Sequence, residues 1–206
     1  MTRLMLNDSE LPIAIVPACW GELLTGLEQS ANQRGEVVTA VRFDGVDEPT
    51  FGLPAQFDRS LDAVQLIELE TATPSDLLDE ALAQGAQASS ALAAAAGHIG
   101  TAFRGTDIAG ANLRMAEFGD GIRSIVWILN TAATVRSISL DLMESNGRPM
   151  SAHLAELTGH LVSLVGAQQA EDWLTVADIL EYDFTPSLQA FRQVFEGLRS
   201  AIPTHS

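Results

Sequence analysis

Four histidines, one cysteine and a group of carboxylates are the residues here whose chemistry is asked about first. His153, Glu156 and His160 follow at steps of three and four, which places them on one helix face where imidazole and carboxylate can share a metal ion. One helix supplies too few ligands, and the Glu-x-x-His pairs that di-iron bundles draw from two helices are absent. His98, in Gly97-His98-Ile99-Gly100, resembles a phospho-accepting histidine on a bundle, but no Lys stands beside it to steady a phosphoryl group. Cys19 has no neighbouring His to take its proton and reads as a small apolar side chain. Neither Gly-x-x-x-x-Gly-Lys nor Gly-x-Ser-x-Gly occurs. No catalytic residue, cofactor site or metal site is expected, and the chain reads as non-enzymatic.

Two polar features remain. Asp120 lies between Gly119 and Gly121 inside an apolar helical pattern, which fits a close helix crossing or bend, or else a polar group aimed into a pocket. Asp178, Glu181 and Asp183 form an acidic group beside an apolar seam, with Trp173 and Tyr182 as aromatic anchors. Those five residues are the candidate surface for a basic protein partner.

The charge balance narrows the partners further. The chain has 206 residues, 27 acidic against 11 basic, for a formal net charge of −16. Nucleic-acid backbones and anionic membranes reward clustered Lys and Arg, so neither is expected as a partner. One cysteine precludes an internal disulfide framework and fits a reducing compartment. The N-terminus lacks a long apolar core before a small-residue cleavage site, and the most apolar helix, Ile122 to Met143, is interrupted by Arg123, Asn130, Arg136 and Asp141. The expected location is the cytoplasm.

The elements that must position these residues fall into two parts, a small α/β unit over residues 1–72 and a helical bundle over 73–206. Residues 1–10 are polar and read as frayed. Leu11 to Ala18, with Pro12 and Pro17, reads as an edge strand. Trp20 to Gln33 carries Leu23, Leu24, Leu27 and Ala31 at helical steps, with Gly35 placed to end it. Glu36 to Phe43 is β-branched, Asp44-Gly45 signals a hairpin running toward Phe51, and Leu61 to Thr71 alternates as a strand. The order is β-α-β-β-β, too small to bury both faces of its sheet alone and so expected to dock on the helices.

Thr73-Pro74-Ser75-Asp76 has the pattern of a helix start, with Thr at the N-cap, Pro in the first turn and a carboxylate to return to the cap amide. Leu78, Leu82, Gly85, Ser89, Leu92, Ala96, Ile99 and Phe103 then alternate steps of four and three, a coiled-coil-type seam with small residues in its middle. Ile108, Ala111, Met115, Phe118, Ile122, Ile125, Leu129 and Ala132 repeat the alternation, with Val126, Ile128, Val135, Ile138 and Leu142 widening the stripe until Ser145-Asn146-Gly147 ends the helix. Pro149 opens a third helix with Met150, Leu154, Leu157, Leu161, Leu164 and Val165. A last one runs from Trp173 through Leu198, where Thr185-Pro186 repeats the cap-and-first-turn pattern of Thr73-Pro74 and predicts a kink or a restart. Short links favour an antiparallel four-helix bundle, giving an α+β, mainly α chain.

At Val176-Ala177-Asp178-Ile179-Leu180-Glu181-Tyr182-Asp183-Phe184, followed by Pro186 and Leu188, the chain resembles uncharacterised bacterial proteins with an L-A-D-x-L-E-Y-[E/D]-x-x-P-x-L ending. Glu36 to Gly45 and Ile67 to Pro74 are similar to their N-terminal half, while Phe191 stands where their pattern has Trp. The resemblance implies a fold and a bacterial origin and carries no activity. The functional expectation is an adaptor or scaffold that self-associates through its small-residue seams. The alternatives are an acidic chaperone of the secretion or flagellar type, and a bundle that binds a small molecule or metal.

Overall fold

The computed structural model describes residues 2–12, 17–145 and 147–200. The chain is α+β and mainly α, and it divides into two compact units, Met1–Leu77 and Leu78–Ser206.

The first unit is a five-stranded sheet in the order β2-β1-β5-β3-β4, built from β1 (Arg3–Leu6), β2 (Ser9–Leu11), β3 (Val37–Phe43), β4 (Val46–Asp47) and β5 (Leu66–Ala72). From Arg3 to Leu11 the chain is paired in the sheet and not frayed. β1 runs parallel to β5 with Leu4 opposite Ile67 and Leu6 opposite Leu69. It turns into β2 through Asn7 and Asp8, both at positive φ (46° and 63°), the geometry of a two-residue hairpin. Among the described residues two strands therefore precede the helix, where one is expected at Leu11 to Ala18; Ile13 to Val16 of that stretch lie outside the described residues. Asp44-Gly45 makes its hairpin, at φ 52° and 79°, but β4 stops at Asp47 short of Phe51. Helix α1 (Trp20–Gln33) buries Trp20, Leu23 and Leu24 with Leu4, Val41, Phe43, Ile67 and Leu69. It ends at Gly35 (φ 73°), where the N–H groups of Gly35 and Glu36 donate to the carbonyls of Asn32 and Ala31. The last strand begins at Leu66, because Leu61 and Val64 reach the same core from a turn.

Helix α2 (Pro74–Phe103) starts as the sequence indicates. Thr73 Oγ1 accepts from the Asp76 N–H at 3.1 Å, but it also donates to Asp76 Oδ2 at 2.7 Å, so the carboxylate returns to the hydroxyl. The second unit packs α2 with α3 (Ile108–Arg136), α4 (Met150–Gln169), α5 (Trp173–Asp178), a π turn (Ile179–Phe184) and α6 (Thr185–Ser200) around one apolar cluster. The inward row of α2 is the expected one from Leu82 to Phe103, with Leu78 only half-buried, and that of α3 runs from Ala111 to Ala132. Small residues serve close crossings inside the chain. A methyl added at Gly85 would lie 2.8 Å from the Phe195 ring, and one at Gly121 would lie 2.6 Å from Leu92 Cδ2. The seam of α2 is filled from within and is not a self-association surface.

Helix α3 ends at Arg136, nine residues before the expected stop at Ser145. Ser137 adopts φ 52°, and the N–H groups of Ser137 and Ile138 close on the carbonyls of Thr134 and Ala133. Val135 and Leu142 are consequently exposed and do not widen the apolar stripe. A short hairpin, β6 (Glu144–Ser145) with β7 (Arg148–Pro149), leads into α4, in which Val165 also faces outward; Asn146 lies outside the described residues. Glu171, at φ 54°, ends α4 through the same pair of bonds, to Gln168 and Ala167. Non-glycine residues in this left-handed region cost about 1–2 kcal/mol, and an acidic side chain is also unfavourable beside a helix C-terminus. Ser137→Gly and Glu171→Gly are each expected to stabilise the chain by about 1 kcal/mol, read as a higher urea midpoint. A lower midpoint for either would mean that the side chain makes a compensating contact.

Candidate functional site

The five residues selected from the sequence lie on the continuous segment from α5 through the π turn. Asp172 caps it. Its carboxylate accepts from the Thr175 N–H at 3.1 Å and from the Thr175 hydroxyl at 2.7 Å, and these bonds, the hydroxyl first, hold the carboxyl below the usual range. Trp173 follows, half-buried, with its ring stacked on Phe103 at 5.4 Å between centroids and 9° between planes. One face of that anchor is thus committed inside the unit. Asp178 is exposed, and Glu181 and Asp183 are half-buried.

Arg104, at the break between α2 and α3, joins two of these carboxylates. Its Nη2 donates to Asp178 Oδ1 at 2.6 Å and its Nη1 to Glu181 Oε2. The two carboxylates, Glu181 first, push the guanidinium still higher than its ordinary value. Two acids on one base leave the group with a net negative charge and fix the outer side of the segment. Tyr182, 64% exposed, and Leu174, 65% exposed, flank Asp178 at four-residue steps, so the three form one outer ridge.

The π turn positions that ridge. Pro186 has no N–H to give the carbonyl four residues back, and its ring crowds that carbonyl. The chain answers by widening the turn ahead of it. Thr185 is not the cap that the Thr185-Pro186 pattern predicts. It is helical, at φ −58° and ψ −50°, and its hydroxyl donates to the Leu180 carbonyl at 3.3 Å. The widened turn buries Ile179, Leu180 and Phe184 together while Tyr182 faces out.

The other polar candidates stand apart. Glu156 pairs with Arg148 at 2.9 Å and lies 4.0 Å from His160, whose ring leans on Phe184. His153 is buried on α4 and His98 is exposed on α2. Asp120 does not enter a pocket: it is exposed and pairs with Arg123 at 3.1 Å. Cys19 precedes α1 in the other unit. Among the described residues no group of three or more His, Cys, Asp or Glu can hold a metal ion, and no helix is long and apolar enough to cross a membrane. Sequence reasoning missed Arg104 and Leu174. A single cation at a helix break in so acidic a chain was the available signal for the first.

Arg199 closes the C-terminal helix onto α2, its Nε and Nη2 donating to the two Asp79 oxygens at 3.0 and 3.1 Å. The Arg199 hydrogen bonds and charge hold the Asp79 carboxyl below its ordinary range. Depressed folded values at Asp79 and Asp172 contribute stability above the unfolded aspartate value, about pH 3.9, and lose it as pH falls through the folded values. Urea midpoints are therefore expected to be flat from neutrality to about pH 5 and to drop below about pH 4, with a shallower drop in Asp79→Asn combined with Asp172→Asn. An unchanged acid limb in that variant would place the proton uptake elsewhere.

A family model described as Domain of unknown function (DUF8042) matches residues 80–194. None of the curated proteins and none of the solved structures matches the chain.

Proposed function

The chain belongs to the family described as Domain of unknown function (DUF8042), and on that premise we propose that it is a non-enzymatic adaptor or scaffold that binds a basic protein segment along the ridge Leu174, Asp178 and Tyr182. The resemblance to an uncharacterised family agrees with that membership. The reading keeps the cytoplasmic setting, which the single cysteine supports, and the bacterial origin that the resemblance implies.

One observation carries it. A tyrosine and a leucine stand open to solvent on a segment whose inner side is wholly buried and whose outer carboxylates are held by Arg104. An anchor fixed before binding loses little entropy on docking, and tyrosine is enriched among residues that dominate binding energy. The net charge of −16 draws in a basic partner and repels nucleic acid. The test is affinity capture from the native lysate with the full chain, identified by mass spectrometry. Tyr182→Ala with Leu174→Ala is expected to weaken capture of a specific protein about tenfold or more without changing the melting temperature. Identical captured sets for the variant and the original chain would remove the ridge as the binding surface.

A further inference from the structure

Past Glu156, the outer face of helix α4 presents no charge to water. Its inner row, Met150, His153, Leu157, Leu164 and Ala167, is buried in the core. Its outer row, Ala155, Gly159, Val162, Gly166 and Gln169, alternates steps of four and three like an interhelical seam, and every one of its members is exposed. No Asp, Glu, Lys or Arg occurs from Leu157 to Gln169. Val162 is 69% exposed and Val165 49%, and with Thr158, Leu161, Gly166 and Gln169 they line a shallow groove of about 460 Å³. An uncharged helix face with two exposed valines is poorly suited to water, and among the described residues α4 is packed on its inner side only.

We propose that the outer face of α4 docks on the same face of a second copy of this chain. Two features of the face select that occupant. The first is charge: a net −16 makes two copies repel wherever acidic surfaces meet, and this face lets them touch without opposing like charges. It offers nothing to recruit a basic partner. The second is shape, because the face carries both knobs and holes. In an antiparallel pair about a two-fold axis at Val162, Val165 of each copy falls opposite Gly159 of the other, and Thr158 opposite Gly166. That is the self-complementarity an isologous contact requires. The seam from Ala155 to Gln169 is about 22 Å long at 1.5 Å per residue. A contact of one helix pair is smaller than the roughly 1,200–2,000 Å² of stable complexes, so the dimer is reversible and dependent on concentration. This deepens the scaffold reading by naming a second copy as one partner, on a face other than the ridge.

Sedimentation velocity of the full chain tests it. A monomer–dimer equilibrium is expected across about 1 to 200 µM. Val162→Glu is expected to weaken dimerisation at least about tenfold, since like charges then meet at the axis, and an equimolar mixture of Val162→Glu with Val162→Lys restores the dimer. Val165→Glu is the second variant, and circular dichroism confirms that each remains folded, as exposed positions allow. A wild-type chain that stays monomeric throughout overturns the proposal. So does a dimer that survives both glutamate variants, or a charge-swapped mixture that fails to associate. Loss of the dimer with intact Tyr182-dependent capture separates this contact from the ridge, and the reverse result separates the ridge from it.

Discussion

Phe184→Ala is expected to destabilise the helical unit by about 3–5 kcal/mol, the range for deleting a fully buried phenylalanine. The ring is completely buried at the end of the π turn, edge-on to Phe118 at 5.4 Å and 76°, with the His160 ring 5.8 Å away. Its removal leaves a void between α3, α4 and the π turn. The walls cannot collapse into it, because Leu180, Leu188 and Phe191 are themselves fully buried on the same segment. For a chain of this length each kcal/mol shifts the melting temperature by about 2–4 °C, so a fall of roughly 10 °C is expected in a thermal melt followed by tryptophan fluorescence. Phe184→Leu, which keeps most of the volume, should lose less than half as much. Tyr182→Ala, two residues earlier but exposed, should leave the melt in place. A fall of less than about 1 kcal/mol for Phe184→Ala would mean that the widened turn does not deliver this side chain to the core.

The same contrast explains which parts of the fold were legible in the sequence. Long apolar rows are redundant signals: Leu82 to Phe103 and Ala111 to Ala132 repeat for several heptads, and both face inward as the spacing requires. Local exceptions to residue preference were not legible. Ser137 and Glu171 occupy left-handed positions that preference reserves for glycine, so residue type does not mark the end of α3 as Gly35 marks the end of α1. Asn7-Asp8 makes a tight turn without the glycine that marks Asp44-Gly45, so the N-terminal hairpin carries no turn signal of that kind. The π turn leaves no trace beyond Pro186, which allows a kink, a restart or a widened turn equally. At the candidate surface the grouping of Asp178, Glu181 and Tyr182 follows from helical spacing. Its partner Arg104 lies 74 and 77 residues away in the chain, and nothing in a periodic pattern connects positions that far apart.

Gly85→Val, at the crossing of α2 and α6, is the second large expected loss, about 3 kcal/mol. The Cβ alone would sit 2.8 to 2.9 Å from three atoms of the Phe195 ring, which is fully buried. Helix propensity works in the opposite direction, since replacing a glycine inside a helix gains up to about 1 kcal/mol. The two effects separate experimentally. Gly119→Ala, on α3, meets no atom within 4 Å and is expected to raise stability by about that propensity gain. Gly85→Ala receives the same gain and must still displace the ring, so its net effect is a loss, smaller than that of valine. Combining Gly85→Ala with Phe195→Leu gives the methyl room, and the pair should lose less than the sum of the two single changes, a coupling of about 1 kcal/mol or more in a double-mutant cycle. Simple additivity would show that the ring and the glycine do not touch. The small residues of α2 would then face something other than α6, and that seam would again be open to a partner.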